Sequence, residues 1–373
     1  MKQLRHAAGS LMVVGLESTA LSGLERAWLK LIQPGGVILF RRNIESADQT
    51  RELLNEATSL CAVDSFRCVD VEGGTVDRLR DALGRMPSAQ EAAQAGAGRE
   101  HGRLIAQGVR AFGFNTTLAP VLDLGLPASS EVMGTRCAGA TPDEVIDFAR
   151  GFLAGLAQYG VTGCGKHFPG LGGGTLDSHR DTPKIERAWN QLCHQDLEPY
   201  RALFAELPMV MVNHAAYPKT LSGNRPASVS AFWMTTVLRK QLGYRGVIFS
   251  DDLEMGGILK FMPMNEAAVE SIRAGMDTVE VCHSPEQILR AYEGLVHEAE
   301  KSSAFQKLLM GRARAMKRKR QTLFHRGVGP RLSSTQLAKL RAKILKFNED
   351  VTKLSRAADK AAPIGERTLV ETA

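Results

Sequence analysis

Cysteine is sparse in this 373-residue chain. Six residues, Cys61, Cys68, Cys137, Cys164, Cys193 and Cys282, are scattered with no CxxC pair among them. That spacing excludes a disulfide framework and a clustered zinc site, and it fits reduced thiols in a cytoplasm. No run of eighteen apolar residues occurs, so no membrane span is expected. The first apolar run, "LMVVGL" near 11, is short and broken by glycine. It reads as a strand rather than a signal-peptide core. No GxGxxG follows it, which disfavours a dinucleotide-binding sheet. HExxH and HxH are both absent, which argues against a barrel or protease metal centre. GxSxG is absent too, so Ser178 has no nucleophile-elbow context. No phosphate loop stands near the last strand, which argues against Lys166 as a Schiff-base lysine of an aldolase-like barrel.

What is present is a soluble, globular composition, 44% hydrophobic and 23% charged. The net charge of +7 is uneven, with "GRARAMKRKR" after residue 300 carrying much of it. The plain reading is a solvated helix face. Contact with an anionic lipid or nucleic acid is the alternative.

Eight short apolar or β-branched runs recur, near 11, 35, 66, 115, 160, 208, 246 and 277, with helix-period segments such as "PDEVIDFARGFLAGLAQY" between them. That alternation predicts an α/β chain folded as a (β/α)8 TIM-type barrel over residues 1–325, with a doubly wound open sheet as the runner-up. Beyond "HRGVGP" the pattern changes. Leu337, Leu340, Ile344, Phe347, Val351 and Leu354 keep a 3–4 spacing, and Ser333 with Gln336 forms a candidate capping box. Residues 326–373 are therefore expected to be a C-terminal helical extension with a frayed tail.

In such a barrel, chemistry sits where the strands end. The third run ends in Asp70 and "EGG", the fifth in Lys166 and His167, the sixth in Asn213 and His214, and the seventh in Ser250, Asp251 and Asp252. Four polar strand ends favour one shared pocket. In "VIFSDDL" one aspartate is placed to cap the following helix and the other to face the mouth. For the latter, nucleophile or base, metal ligand and structural hydrogen bonding all stay open. In "GKHFPGLGGGTLDSH", Asp177 and His179 are two apart and share a side in extended chain, so the carboxylate can orient the imidazole. A surface-loop histidine is the plain reading. The glycines at 170 and 172–174 favour instead a mobile segment carrying His179 to and from the pocket.

Together these segments resemble glycoside hydrolase family 3, in its single-barrel bacterial β-N-acetylglucosaminidase branch. The likeness runs from about residue 10 to 320 through "DVEGGTVDRLR", "LAPVLDL", "GKHFPGLGGGTLDSH", "VNHAAYP" and "VIFSDDLEM". It implies a nucleophile at Asp251 supported by Asp252, a general acid/base at His179 with Asp177 as its partner, and sugar-binding positions at Asp70, Arg78, Arg136, Lys166 and His167. It departs from the usual two-carboxylate scheme, because a loop histidine replaces the second carboxylate. Leu171 stands where the family usually has histidine. The implied activity is retaining, exo-acting removal of GlcNAc, with muropeptides bearing 1,6-anhydro-MurNAc as the expected substrate in cytoplasmic cell-wall recycling. No cofactor or metal, no nucleic-acid partner and no stable membrane insertion are expected. A phosphorylase and an inactive sugar-binding barrel are the alternatives.

Overall fold

The computed structural model describes residues 2–174 and 182–361. Eight parallel strands form one sheet: β1 (Met12–Gly15), β2 (Gly36–Leu39), β3 (Phe66–Val69), β4 (Thr116–Thr117), β5 (Cys164–Phe168), β6 (Met209–Val212), β7 (Val247–Asp252) and β8 (Thr278–Val281). Their order, β4-β3-β2-β1-β8-β7-β6-β5, runs around a barrel. Parallel bridges Thr116↔Thr162 and Val121↔Lys166 bring β4 up to β5. All eight expected runs supply a strand. "MVVG", "GVIL" and "MVMV" are buried along their whole length, as strands covered on both faces must be.

Helices fill the crossovers, and their starts are written in the sequence. Ser22 with Glu25 and Thr141 with Glu144 form capping boxes, the second with Pro142 in the first turn. Phe66 and Phe249 meet edge-to-face inside the barrel at 5.8 Å, and Phe324 closes on Phe66 from below at 5.0 Å.

The helix Ser303–Leu323 lies across the end where the strands begin. Its Arg312, Lys319 and Arg320 donate to the carbonyls of Gly275, Gly246 and Ser10, each at 2.8 Å. The helix Ser334–Ala361 packs on the helical segments 80–83, 89–94 and 98–111. Its Leu340, Ile344 and Val351 are buried, whereas Leu354 of the same 3–4 series is exposed. Ser333 and Gln336 make the expected capping box, with reciprocal bonds of 2.8 and 3.3 Å.

Candidate active site

The opposite end of the barrel gathers charge. Asp70 follows β3 directly, and Glu72 sits two residues on, in the hairpin Val71–Gly73 and Val76–Asp77. Lys166, buried in β5, reaches both carboxylates: Nζ lies 2.8 Å from Asp70 Oδ1 and 2.6 Å from Glu72 Oε1. Arg136, from the turn Gly134–Arg136, grips Glu72 with two parallel bonds of 2.8 and 2.9 Å. Burial alone would neutralise these groups. For Lys166 the Asp70 and Glu72 charges overcome it and raise its pKa, and for Glu72 the Arg136 and Lys166 charges hold its carboxyl far below the usual range. Arg78 completes the rim, with its guanidinium 3.8 Å from Asp70 and 5.7 Å from the Phe40 ring.

His167 is fixed from behind. Asp123, fully buried, takes the His167 backbone N–H at 3.0 Å and lies 2.6 Å from its Nδ1. A carboxylate only accepts, so Nδ1 carries the proton. Nε2 is left facing Arg136 at 3.4 Å. Asn213 donates to the His167 carbonyl at 2.9 Å, which ties the end of β5 to that of β6.

Asp251 and Asp252 end β7 with different surroundings. The described Asp251 contacts include no ion pair; its Oδ1 takes only the neighbouring Asp252 N–H, at 3.0 Å. Burial pushes its pKa up, but His167, His214 and Lys166 outweigh that and hold it below the ordinary carboxylate value. Asp252 goes the other way, pushed up to about 7 by burial. Its Oδ1 accepts from the Glu254 and Cys282 N–H groups at 3.0 and 3.2 Å. It therefore closes a turn two residues on and staples β7 to β8. The expected helix cap is not made, because the next helix, Gly256–Leu259, begins too late to use it. His214 is buried, with Nε2 2.9 Å from the Asp252 carbonyl and Nδ1 2.7 Å from the Ser228 hydroxyl.

Of the residues expected from sequence, Asp70, Arg78, Arg136, Lys166, His167 and Asp251 come together here. Asp177 and His179 lie outside the described residues. Three carboxylates were not singled out by the sequence: Glu72, Asp123 and Glu280. Glu72 was signalled by its i, i+2 relation to Asp70. Asp123 was signalled by its place within the apolar "VLDLG". Glu280 interrupts the otherwise apolar β8, and its Oε1 is buried without a hydrogen-bond partner. Burial and the neighbouring Asp252, Asp70 and Asp251 charges raise its pKa well above the ordinary value, which favours its neutral form under the mouth. Among the described residues no group of three His, Cys, Asp or Glu is placed to hold a metal ion.

A (β/α)8 barrel with a carboxylate-rich mouth at its strand C-termini is the architecture of a barrel enzyme. The chain belongs to glycosyl hydrolase family 3: residues 3–318 match that family's N-terminal domain. A Beta-hexosaminidase of Alkalilimnicola ehrlichii is 38% identical over 287 residues, covering 74% of this chain and 82% of that protein. One from Methylococcus capsulatus is 38% identical over 303 residues, covering 79% and 90%. Among solved structures, a family 3 β-N-acetylglucosaminidase from a Paenibacillus species superposes with a TM-score of 0.83 at 30% identity, over 92% of this chain and 68% of that one. NagZ from Neisseria gonorrhoeae, in complex with N-trifluoroacetyl-D-glucosamine, does so with 0.72 at 29%, over 91% and 98%. The protein is a glycoside hydrolase.

Proposed function

We propose that the protein is a retaining exo-β-N-acetylglucosaminidase. The observation that carries the reading is Asp251, held below the ordinary carboxylate value with no ion pair among the described residues, next to polar groups suited to sugar hydroxyls. The relatives named β-hexosaminidase and the aminosugar-bound neighbour support GlcNAc as the sugar. Asp251 attacks the anomeric carbon while the glycosidic C–O bond breaks, and His179 gives its proton to the departing oxygen. His179 then takes a proton from water. The water oxygen bonds to the anomeric carbon and the Asp251 ester bond breaks, so net configuration is kept. Asp177 orients the His179 ring. Asp70, Arg78, Lys166, Arg136 and His167 bind the sugar, and Asp252 sets the turn that presents Asp251. The favoured substrate is a muropeptide carrying GlcNAc on 1,6-anhydro-MurNAc, handled in the cytoplasm during cell-wall recycling.

The test uses aryl β-N-acetylglucosaminides of graded leaving-group ability. The wild-type protein should cleave them with retention. His179→Ala should lose roughly 10²–10⁴-fold on poor leaving groups and far less on good ones. Equal losses across the series would remove His179 from the acid role. Turnover that requires phosphate and yields a sugar phosphate would replace hydrolysis with phosphorolysis.

A further inference from the structure

Residues 301–348 hold fourteen Lys and Arg and not one Asp or Glu. The rest of the chain is therefore acidic, with 33 Lys and Arg against 40 Asp and Glu. The fold turns this imbalance into a polarity of the whole molecule. The helix Ser303–Leu323 and the segment after it lie across the strand-starting end of the barrel, and the acid-rich mouth is at the other end. At about 3.3 Å per residue, the strands of four to six residues hold the two ends roughly 13–20 Å apart.

Several separate segments bring their cations to this end. Arg245 arrives from the turn before β7, Lys317 and Arg318 from the crossing helix, Arg326 from the turn after it, and Lys339 and Lys343 from the last helix. All six are exposed, and among the described residues none makes an ion pair. Most acids at this end are paired: Asp277 is buried beneath three cations, Glu206 is paired with Arg150 at 3.3 Å and Glu298 with Arg273, while Asp64 and Glu300 are exposed.

Apolar surface is interleaved with these charges. A groove of about 520 Å³ runs between Phe204, Leu207, Pro208 and Leu323, edged by Arg245 and Arg318. A second, of about 560 Å³, lies between Tyr159, Pro330, Leu332 and Leu340, edged by Arg326, Lys339 and Lys343. Phe204 is 41% exposed and Val328 38%.

We infer that this end is a peripheral docking face for an anionic lipid bilayer. Clustered Lys and Arg beside shallow apolar grooves suit a headgroup layer, which takes charge and apolar contact together. Among the described residues Phe204 and Tyr159 are the rings on this face, and Trp28 and Trp233 are buried in the core, so it offers no row of exposed rings for a single-stranded nucleic acid to stack on. The acid-rich remainder orients the molecule with its mouth away from an anionic surface, so docking leaves the catalytic end open.

The test is flotation of the full chain with vesicles of phosphatidylcholine alone or mixed with phosphatidylglycerol, at low and high salt. Binding should require phosphatidylglycerol and fall with salt. Replacing Lys317, Arg318 and Arg326 together by Glu should weaken it by about 100-fold or more, because each basic residue near such a surface adds appreciably to partitioning. The matched variant Arg85→Glu, Arg99→Glu, Arg290→Glu, with the same change in net charge on exposed residues nearer the mouth, should keep most of the binding. Both variants should retain aryl-glycosidase activity in solution, which also shows that they fold. Failure of the wild type to float with phosphatidylglycerol vesicles overturns the inference. So does an equal loss in the matched variant, and so does tighter binding to a DNA or RNA duplex than to the vesicles in the same buffer.

Discussion

Both ends of the barrel bury a carboxylate, and they treat it in opposite ways. At the strand-starting end, Asp277 takes Arg239 at 2.6 Å, Lys319 at 2.9 Å, Arg312 at 3.0 Å and the Ile248 N–H at 3.0 Å. Burial would raise its pKa, but Lys319, Arg239 and Arg312 bring it down. Both oxygens are engaged, Oδ2 by three donors and Oδ1 by Arg312, and the result is a clamp that fixes the helix Ser303–Leu323 to the barrel. At the mouth, Asp251 is also held ionised, yet by fields from His167, His214 and Lys166 rather than by contact. Among the described residues its Oδ1 takes one backbone N–H and no cation contacts it, which leaves Oδ2 for a reacting atom. A buried charge with full pairing is part of the scaffold, and one kept ionised without pairing is available for chemistry.

The sharpest break between the two ends comes from deleting each carboxylate. Asp251→Ala should cut kcat/KM by at least about 10⁴-fold, as loss of a covalent nucleophile does, with no loss of thermal stability. Asp277→Ala should reverse this pattern. It strands three cations and should cost roughly 3–5 kcal/mol of stability, while the folded fraction keeps its activity. Chemical denaturation and kinetics on the same samples check both, and equal stability losses would erase the distinction.

Lys166 combines the two behaviours, since it is fully paired and also faces the mouth. Lys166→Met should lower stability and weaken a GlcNAc-like competitive inhibitor by about 10–100-fold, the size of a charge-assisted hydrogen bond. Inhibitor titration separates the two effects.

The smallest effect is a pH slope. Asp252, at about 7, binds a proton in the folded state that the unfolded chain releases near its ordinary value of 3.8. The folded state holds more protons between those values, so stability falls as pH rises from about 4 to 7 and levels off above. Glu280, shifted in the same direction, adds to that fall. Glu280→Gln should therefore gain on the wild type as pH increases, read as a difference in denaturation midpoint between pH 5 and pH 8. A pH-independent difference would contradict a neutral Glu280.

The barrel was legible because each strand is a short apolar run and each crossover a helix-period segment, and local patterning of that kind needs no knowledge of the partner. The polar strand ends were legible for the same reason: Asp70, Lys166, His167 and Asp251 stand directly where a run stops. Glu72, Asp123 and Glu280 were not, because what marks them is a partner far away in sequence or the lack of one. The glycines were read for freedom alone. In the fold, a side chain at Gly172 would meet the Leu124 carbonyl at 2.5 Å, so close packing also demands glycine there, whereas one at Gly173 would meet the Arg187 side chain at 2.6 Å and push it aside. Leu171, in the place of the family's usual histidine, is buried and donates its N–H to Asp123 at 2.7 Å. Its backbone thus helps hold the residue that orients His167.

The central claim is that Asp251 forms the covalent bond to the sugar. The direct measurement is to trap the enzyme with a reactive fluorinated N-acetylglucosaminide and map the adduct by peptide mass spectrometry. The label should sit on Asp251 and appear with loss of activity. A label on Asp252, on Asp70 or on Glu280 would contradict the assignment.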